Sequence, residues 1–349
     1  MITHPLTPTQ MAPVARQKEV LALCLLVLCM LALSLSASAQ NSTFIIFDPP
    51  GAIGTAPTSI NSAGTITGSY SDANSAQHGF IRTRNGAFIT FDVPGATQYF
   101  PPLGINPAGV IMGNYLDASF AEHGFVRALE GSFTAFDDSF LTSINPAGAI
   151  TGVHGTHGFV RDRDGTFTNL DVPGSTFTIP EGINAAGEIT GFYYDASGVG
   201  HGFLRSCQGT FITFDPPGAI SITPLPAGAA YTTPVGINQA GEITGYYSDS
   251  GGNYSVHGFV RSRDGAFTII DGPGSAGFTK ALGIGGAGTT MGIYYDDNGG
   301  QHAFVRSRDG TFTTFDPPGS YTYPTSINTA GAITGDYNGH GFLRTPDNN

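Results

Sequence analysis

Short runs of alternating apolar and polar residues follow one another along most of the chain, and glycine-containing turns separate them. Residues 311–316, Thr-Phe-Thr-Thr-Phe-Asp, are one such run. The pattern predicts β-strands, because successive side chains of a strand point to opposite faces of a sheet. Phe312 and Phe315 then point to opposite faces, so a sheet built from these strands has to be covered on both sides.

The strands belong to a sequence repeat that occurs seven times. Each unit predicts four strands, which we call A, B, C and D in chain order. Strand A ends in Ile-Asn, strand B contains Ile-Thr-Gly, strand C begins with His-Gly-Phe and ends in Arg, and strand D ends in an apolar residue followed by Asp. The seven histidines that open the C strands are His78, His123, His157, His201, His257, His302 and His340.

The connections between the strands are of two kinds. The A–B and C–D turns keep their length from unit to unit, and the A–B turn ends in a glycine, such as Gly187 or Gly241, which we predict to adopt a positive φ. The B–C and D–A connections vary in length, and the longest D–A connection follows Asp215. In a four-stranded meander these two connections emerge at the same end, which is therefore predicted to carry the variable loops.

The two ends of the repeat region complement each other. The region begins with a D-type strand, residues 44–48, and stops after a C strand, residues 340–344, with no D strand behind it. Both would be bare sheet edges unless they pair. We therefore predict an all-β fold, a seven-bladed β-propeller of four-stranded antiparallel blades, closed by the N-terminal strand, which completes the last blade.

The combination of His-Gly-Phe, Phe-Asp-x-Pro-Gly and Gly-Ile-Asn-x-x-Gly-x-Ile-x-Gly-x-Tyr resembles the HAF-type probable extracellular repeat family of bacteria. The resemblance covers residues 44–344 and implies an exported bacterial repeat protein, but it implies no activity and no catalytic residues. The sixth unit departs from the pattern, with Gly285 in place of the Asn and Ala303 in place of the Gly of His-Gly-Phe. The third unit lacks Pro-Gly after Asp137.

The N-terminal segment has the composition of an export signal. Arg16 and Lys18 precede an apolar run, residues 20–35, and Ala37-Ser38-Ala39 matches the small-x-small pattern of a signal-peptidase site. The alternative is an uncleaved anchor, but the run is shorter than the about 20 residues that a membrane-spanning helix needs. We predict a signal peptide at residues 1–39 and a repeat domain at residues 40–349. The domain would be secreted, to the exterior or to the periplasm of a double-membrane bacterium, without stable membrane insertion.

The charge balance argues against some partners. The chain has 14 basic and 26 acidic residues, a formal net charge of −12, and its only lysines are Lys18 and Lys280. It offers no basic face for phosphates, so we expect no nucleic-acid partner. Behind the signal peptide Cys207 is the single cysteine, so the fold has to be stable without an internal disulfide. We expect a monomer.

Most residues that could carry catalysis recur in every unit. A His, an Arg and an Asp that appear once per repeat are predicted to serve the hydrogen bonding of the repeat itself. His154 and His157 form His-x-x-His, which supplies too few ligands for a metal. Glu188 and Glu242 occupy equivalent B-strand positions. Because no nucleophile elbow, phosphate-binding loop or dinucleotide motif is present in the sequence, we predict no catalytic residues, no metal and no cofactor.

Five B–C loops carry an Asp shortly after a Tyr. Aromatic faces next to carboxylates suit the binding of a sugar or a peptide, whereas the alternative is that each Tyr packs between blades and each Asp shapes its loop. The candidate ligand-binding residues are Tyr70, Asp72, Tyr115, Asp117, Tyr194, Asp195, Tyr247, Asp249, Tyr295 and Asp296.

Two hypotheses about function follow. The preferred one is a secreted binding or scaffold protein that presents a variable loop face to a glycan or an extracellular protein. The alternative is a secreted hydrolase or lyase with its site at the mouth of the central channel. Close carboxylates or a metal at that mouth would favour the enzyme, and a shallow face of Tyr, Ser, Thr and Asn would favour the binding protein.

Overall fold

Strands make up the regular structure of the chain in the computed structural model, which describes residues 43–346 except 222, 225–230, 250–254 and 317–320. The predicted signal peptide, residues 1–39, lies outside the described residues. Residues 43–346 form one compact unit. The described residues contain 28 strands, and no helix among them is long and apolar enough to cross a membrane.

The strands follow the A, B, C, D order of the repeat. The first one, β1 (Phe44–Phe47), is of the D type. The remaining strands are β2–β5 (Ala52–Ile60, Ile66–Asp72, Gln77–Arg82, Phe88–Phe91), β6–β9 (Gln98–Ile105, Ile111–Leu116, Glu122–Arg127, Phe133–Asp137), β10–β13 (Phe140–Ile144, Ile150–His154, His157–Arg161, Phe167–Asn169), β14–β17 (Phe177–Ile183, Ile189–Tyr194, Gly200–Arg205, Phe211–Phe214), β18–β21 (Thr233–Ile237, Ile243–Ser248, Val256–Arg261, Phe267–Ile270), β22–β25 (Ser275–Ile284, Thr290–Asp296, Gln301–Arg306, Phe312–Thr314) and β26–β28 (Thr322–Ile327, Ile333–Tyr337, His340–Arg344).

Neighbouring strands of a unit pair antiparallel in the order A, B, C, D. Five sheets have four strands each, and the sixth has eight because β18–β21 and β22–β25 meet through one parallel pair, Val256 with Phe278. In the last sheet β1 occupies the D position next to β28, with Phe44 opposite Arg344 and Phe47 opposite Gly341. The pairing predicted between the first and last strands is therefore present.

The asparagine that ends most A strands links one unit to the next. The side-chain amide of Asn61 donates to the carbonyl of Asn106 at 3.0 Å, and Asn184 donates to the carbonyl of Asn238 at 3.1 Å. Asn328, in the last unit, donates to the carbonyl of Asn61 in the first at 3.0 Å. This bond explains why the repeat keeps an Asn at this position.

The sheets are covered on both faces, as the strand pattern predicted. The Phe of His-Gly-Phe is fully buried in six units, at Phe80, Phe125, Phe203, Phe259, Phe304 and Phe342. The Arg that ends a C strand lies over a Phe ring of the preceding D strand, for example Arg82 over Phe47 at 4.8 Å and Arg261 over Phe214 at 5.0 Å. These cation–π contacts join successive units, so the recurrent Arg has a structural role here.

Two kinds of glycine shape the A–B hairpin. Gly187 and Gly241 have φ near +80°, at 79° each, which confirms the predicted tight turns. Gly191, in the Ile-Thr-Gly segment of β15, is required for a different reason. A Cβ there would lie 2.0 Å from the carbonyl oxygen of Ile179, so only glycine allows the A and B strands to approach this closely.

Candidate functional site

Each A strand contains a β-bulge at the same position of the repeat. A bulge places one extra residue in a strand and redirects its side chain. The bulged residues are Thr58, Leu103, Thr142, Glu181, Val235, Leu282 and Thr325. All seven line one cavity.

This cavity, which we call the A-strand cavity, has a volume of about 900 Å³ and is bounded by all seven A strands. Its lining is mainly aliphatic, with Thr and Ser hydroxyls and three carboxylates, Glu122, Asp138 and Glu181. A smaller cavity of about 110 Å³ lies at the A–B turns and shares Ile183 and Ile237 with it. The smaller cavity thus adjoins the A-strand cavity at the A–B turns, whereas Glu122 and Phe177 line the A-strand cavity next to the B–C and D–A connections.

Glu181 is the only charged residue among the seven bulge positions. Its side chain is partly accessible from the cavity but otherwise surrounded by protein, and this burial raises the pKa of the carboxyl group to about 7. Among the described residues no hydrogen bond or ion pair to this carboxyl group is found. The carboxylate is thus partly desolvated without compensation from the described part of the chain.

The charge of Glu181 influences the pKa of one tyrosine, Tyr246, and a lysine packs on the ring of that tyrosine. Burial, followed by the charge of Glu181 and by Tyr323, raises the pKa of Tyr246. On its ring face lies Lys280, with Nζ 4.3 Å from the centroid, and Nζ is 5.4 Å from the ring of Phe278. Burial lowers the pKa of Lys280.

The aspartates of the five predicted Tyr–Asp pairs are built into a recurring arrangement around the His-Gly-Phe histidines. The Nδ1 atom of His78 lies 2.7 Å from Asp92 of strand D, and its Nε2 atom lies 3.7 Å from Asp72 of the B–C loop. The ring of Tyr70 packs against the imidazole at 5.1 Å. The same arrangement surrounds His123, His201, His257 and His302.

The tyrosines of these pairs do not share one surface. Tyr115 and Tyr247 pack on their histidines and are buried, with 7% and 3% of their surface exposed. In the fourth and sixth units the tyrosine on the histidine is Tyr193 or Tyr294, one residue before the predicted one. The sequence alone does not show which tyrosine packs on the histidine, because each of these strands carries two adjacent tyrosines.

Tyr194 and Tyr295 consequently point to the other face of their strands. Tyr194 stacks with Phe177, which lines the A-strand cavity, at 6.3 Å, and also contacts Tyr231 at 6.0 Å. Tyr295 packs against Phe278 at 5.0 Å. Of these two residues, Tyr194 contacts a side chain that lines the cavity, whereas Phe278, the partner of Tyr295, does not line it.

The long connection after Asp215 begins on the predicted loop end. The amide of Ile220 donates to the carbonyl of Ser248 at 2.9 Å, and Ala219 forms an isolated bridge with Asp249. Residues 222 and 225–230 of this connection lie outside the described part of the chain. What is described packs against the B–C loops, as expected for loops that emerge at the same end.

Other candidates from the sequence have structural partners. Glu188 accepts a bond from Asn184 at 2.8 Å and pairs with Arg263 at 3.2 Å. Glu242, its equivalent, pairs with Arg308 at 2.7 Å. His154 is hydrogen-bonded through Nδ1 to the carbonyl of Asp138 at 2.8 Å. Within the described residues no group of three or more His, Cys, Asp or Glu side chains is arranged to hold a metal ion.

Glu181 is the functional candidate that the sequence analysis missed. The residue three positions before the repeat Asn, or before Gly285, is Thr, Leu or Val in six units and Glu only in the fourth. This exception was visible in the sequence. The sequence did not show what this exception means, because an unbulged strand would not direct that residue into a shared cavity.

Four-stranded antiparallel sheets whose A strands line a common cavity are the architecture of a β-propeller, and solved structures agree. A catalytically inactive virginiamycin B lyase from Staphylococcus aureus with quinupristin is similar with a TM-score of 0.60 and 12% identity, over 87% of this chain and 99% of that one. A streptogramin B lyase is similar with a TM-score of 0.58 and 16% identity, over 89% of this chain and 100% of that one. YCF48 bound to D1 peptide is similar with a TM-score of 0.52 and 10% identity, over 89% of this chain and 100% of that one.

At such low identities the similarity shows the β-propeller fold alone. No family model matches the chain, and no curated protein matches it.

Proposed function

We propose that the chain is an exported, closed, seven-bladed β-propeller that acts as a monomeric binding protein, with the A-strand cavity as its binding site. Closure is supported by β1 in the D position of the last sheet and by the hydrogen bond from Asn328 to Asn61. Seven blades are supported by the seven A strands around one cavity. Export is supported by the N-terminal segment and by the repeat resemblance.

The partner that fits the cavity best is a peptide segment of an extracellular protein. The observation that carries this proposal is a cavity of about 900 Å³ that combines an aliphatic lining with the uncompensated carboxyl of Glu181. Binding pockets for small ligands have volumes of about 300–1,000 Å³ and a few convergent polar groups. A glycan would need accessible aromatic faces, and Tyr115 and Tyr247 already pack on histidines.

The test is a display library of random peptides, screened in parallel with a glycan array against residues 40–349. Enriched peptides are then measured on Leu282→Trp, which fills the cavity from a bulge position, and on the control Ile212→Trp, which alters an exposed D-strand residue. We expect at least about tenfold weaker binding to the first variant and unchanged binding to the second. Thermal denaturation establishes that both variants fold.

Two results contradict the proposal. Peptides that bind Leu282→Trp as tightly as the parent would place the site outside the cavity. Glycan binding without any peptide binding would replace the proposed partner.

A second candidate function, a hydrolase or lyase acting in the cavity, is favoured by one observation. A carboxyl group with a pKa of about 7 is suited to act as a general base. If the propeller is an enzyme, mass spectrometry of a bound peptide after incubation will find products with the parent and none with Glu181→Gln. Products formed equally by both proteins would exclude Glu181 as the base.

A further inference from the structure

We propose that Glu181 binds a primary ammonium group on an apolar stem, such as a lysine side chain or the amino terminus of a peptide, inside the A-strand cavity. This inference deepens the proposed function and rests on it. It specifies which chemical group of the ligand the cavity recognises.

The first argument is the electrostatic surroundings of Glu181. The A strands on either side, β10 and β18, contain no titratable residue. From β11, His154 bonds to the carbonyl of Asp138, and β15 contributes Tyr193 and Tyr194. From β12, His157 pairs with Asp171, and the guanidinium of Arg161 lies over the rings of Phe136 and Phe167. No cation of the described chain therefore faces the carboxylate from these packed elements.

The second argument concerns Lys280, which packs on the tyrosine whose pKa Glu181 influences. The ammonium of Lys280 lies over the rings of Tyr246 and Phe278, and burial alone lowers its pKa. A neighbouring carboxylate would raise that pKa, so Lys280 does not neutralise Glu181. An isolated buried carboxylate is unfavourable until a cation supplied from outside pairs with it.

The third argument concerns the shape and polarity of the lining. Ile179 and Ile183 lie on β14 next to Glu181, and Phe177 lies further along the same strand, all lining the cavity. Apolar side chains of this kind suit a methylene stem, and aromatic faces attract cations.

The proposal has a pH dependence of defined sign. Burial raises the pKa of free Glu181 to about 7, so at about pH 6 only about a tenth of the sites carry the carboxylate, and at about pH 8 about nine-tenths do. Apparent affinity scales with the fraction of competent sites, so binding of a permanent cation tightens about tenfold over this range. Bound ammonium also favours the carboxylate and lowers the pKa of Glu181.

The experiment uses the small number of glutamates in the chain. Residues 40–349 contain Glu122, Glu130, Glu181, Glu188 and Glu242, so protein labelled with ¹³C at the glutamate carboxyl carbon gives few signals. The signal of Glu181 is assigned by its loss in Glu181→Gln. The pKa of Glu181 is then measured in three samples: the protein without ligand, the protein with n-hexylamine as the probe, and the protein with 1-hexanol as the neutral control.

We expect Glu181 to titrate near neutral pH, hexylamine to lower its pKa, and hexanol to leave it unchanged. Calorimetry should show hexylamine binding that tightens about tenfold from about pH 6 to about pH 8 and is lost in Glu181→Gln. Glu130→Gln, at an exposed glutamate that does not line the cavity, should keep the binding.

Titration of Glu181 at an ordinary carboxylate pKa, or no response to hexylamine, would overturn the inference. These failures leave the peptide screen unaffected: peptides that bind the cavity but keep their affinity for Glu181→Gln would support the binding site and reject the ammonium. Loss of peptide binding in Leu282→Trp tests the site independently of its charge.

Discussion

Three of the histidines that lie between two aspartates, His78, His123 and His302, are held in a setting that favours their charged form. The hydrogen bond to Asp92 is the largest influence on His78 and raises its pKa. For His302, burial lowers the pKa, and the bonds to Asp296 and Asp316 outweigh it. On the acidic side, the hydroxyl of Ser197 and turn amides lower the pKa of Asp195 to about 2.

This arrangement predicts that stability decreases as pH rises above about 6.5, the ordinary pKa of histidine. A histidine whose pKa is raised on folding contributes stability that is complete below the unfolded pKa and is lost as pH rises through the folded pKa. Glu181 also makes folding stability decrease as pH rises, but at lower pH than the histidines, because its pKa is raised on folding as well. Urea denaturation at about pH 6 and about pH 8 measures the difference.

Asp92→Asn is the matched variant for this pH effect. It removes the partner that most raises the pKa of His78, so its stability should depend less on pH than that of the parent. Equal stability of the parent at both pH values, or an increase with pH, would contradict the explanation.

The A–B turn glycines predict a second residue-level result. Gly187 has a φ of 79° and its added Cβ would meet only Cys207 at 3.9 Å, so Gly187→Ala introduces backbone strain without a clash. We expect a loss of about 1–2 kcal/mol in the free energy of unfolding. Gly236→Ala is the control, because nothing lies within 4 Å of its Cβ and its φ is not positive. Equal effects of both substitutions in chemical denaturation would show that strain is not the cause.

At the scale of elements, the sequence predicted the strands and hairpins but not the bulges. Constant A–B spacing is compatible with a regular hairpin, and only the pairing register shows that Glu181 is the extra residue between Pro180 and Gly182. Nor does the sequence show that Tyr193 rather than Tyr194 packs on the histidine, because two adjacent tyrosines offer either face of β15 to it. The pairing register depends on both strands together, so the sequence of one strand does not determine it.

The strand β1 provides the test at this scale. Phe47 is 7% exposed and packs against Phe80, Phe88 and Arg82, although it comes from the far end of the chain relative to β28. Phe47→Ala should cost about 3–5 kcal/mol, the usual loss for a buried Phe. Ile46→Ala, on the same strand but 50% exposed, should change stability by less than about 0.5 kcal/mol. Equal, small losses in both variants would mean that β1 is not docked.

At the scale of the whole molecule, the repeat made the architecture predictable. Seven copies of one hairpin pair, variable loops at a single end and complementary chain ends led to the fold. The A-strand cavity was not predictable in the same way, since it belongs to no single unit and forms where seven A strands meet. A repeat pattern describes what the units share, whereas Glu181 is informative because it occurs in only one of them.

The claim on which the cavity depends is that the ring closes through β1 and β28. Native-state hydrogen exchange of the β1 amides, followed by NMR, measures this directly. If the strand completes the last blade, these amides should open only with global unfolding and should be protected about as strongly as those of β27. Exchange of the β1 amides at the rate of an unstructured terminus, while β27 stays protected, would contradict closure and with it the account of the cavity as the centre of a seven-bladed propeller.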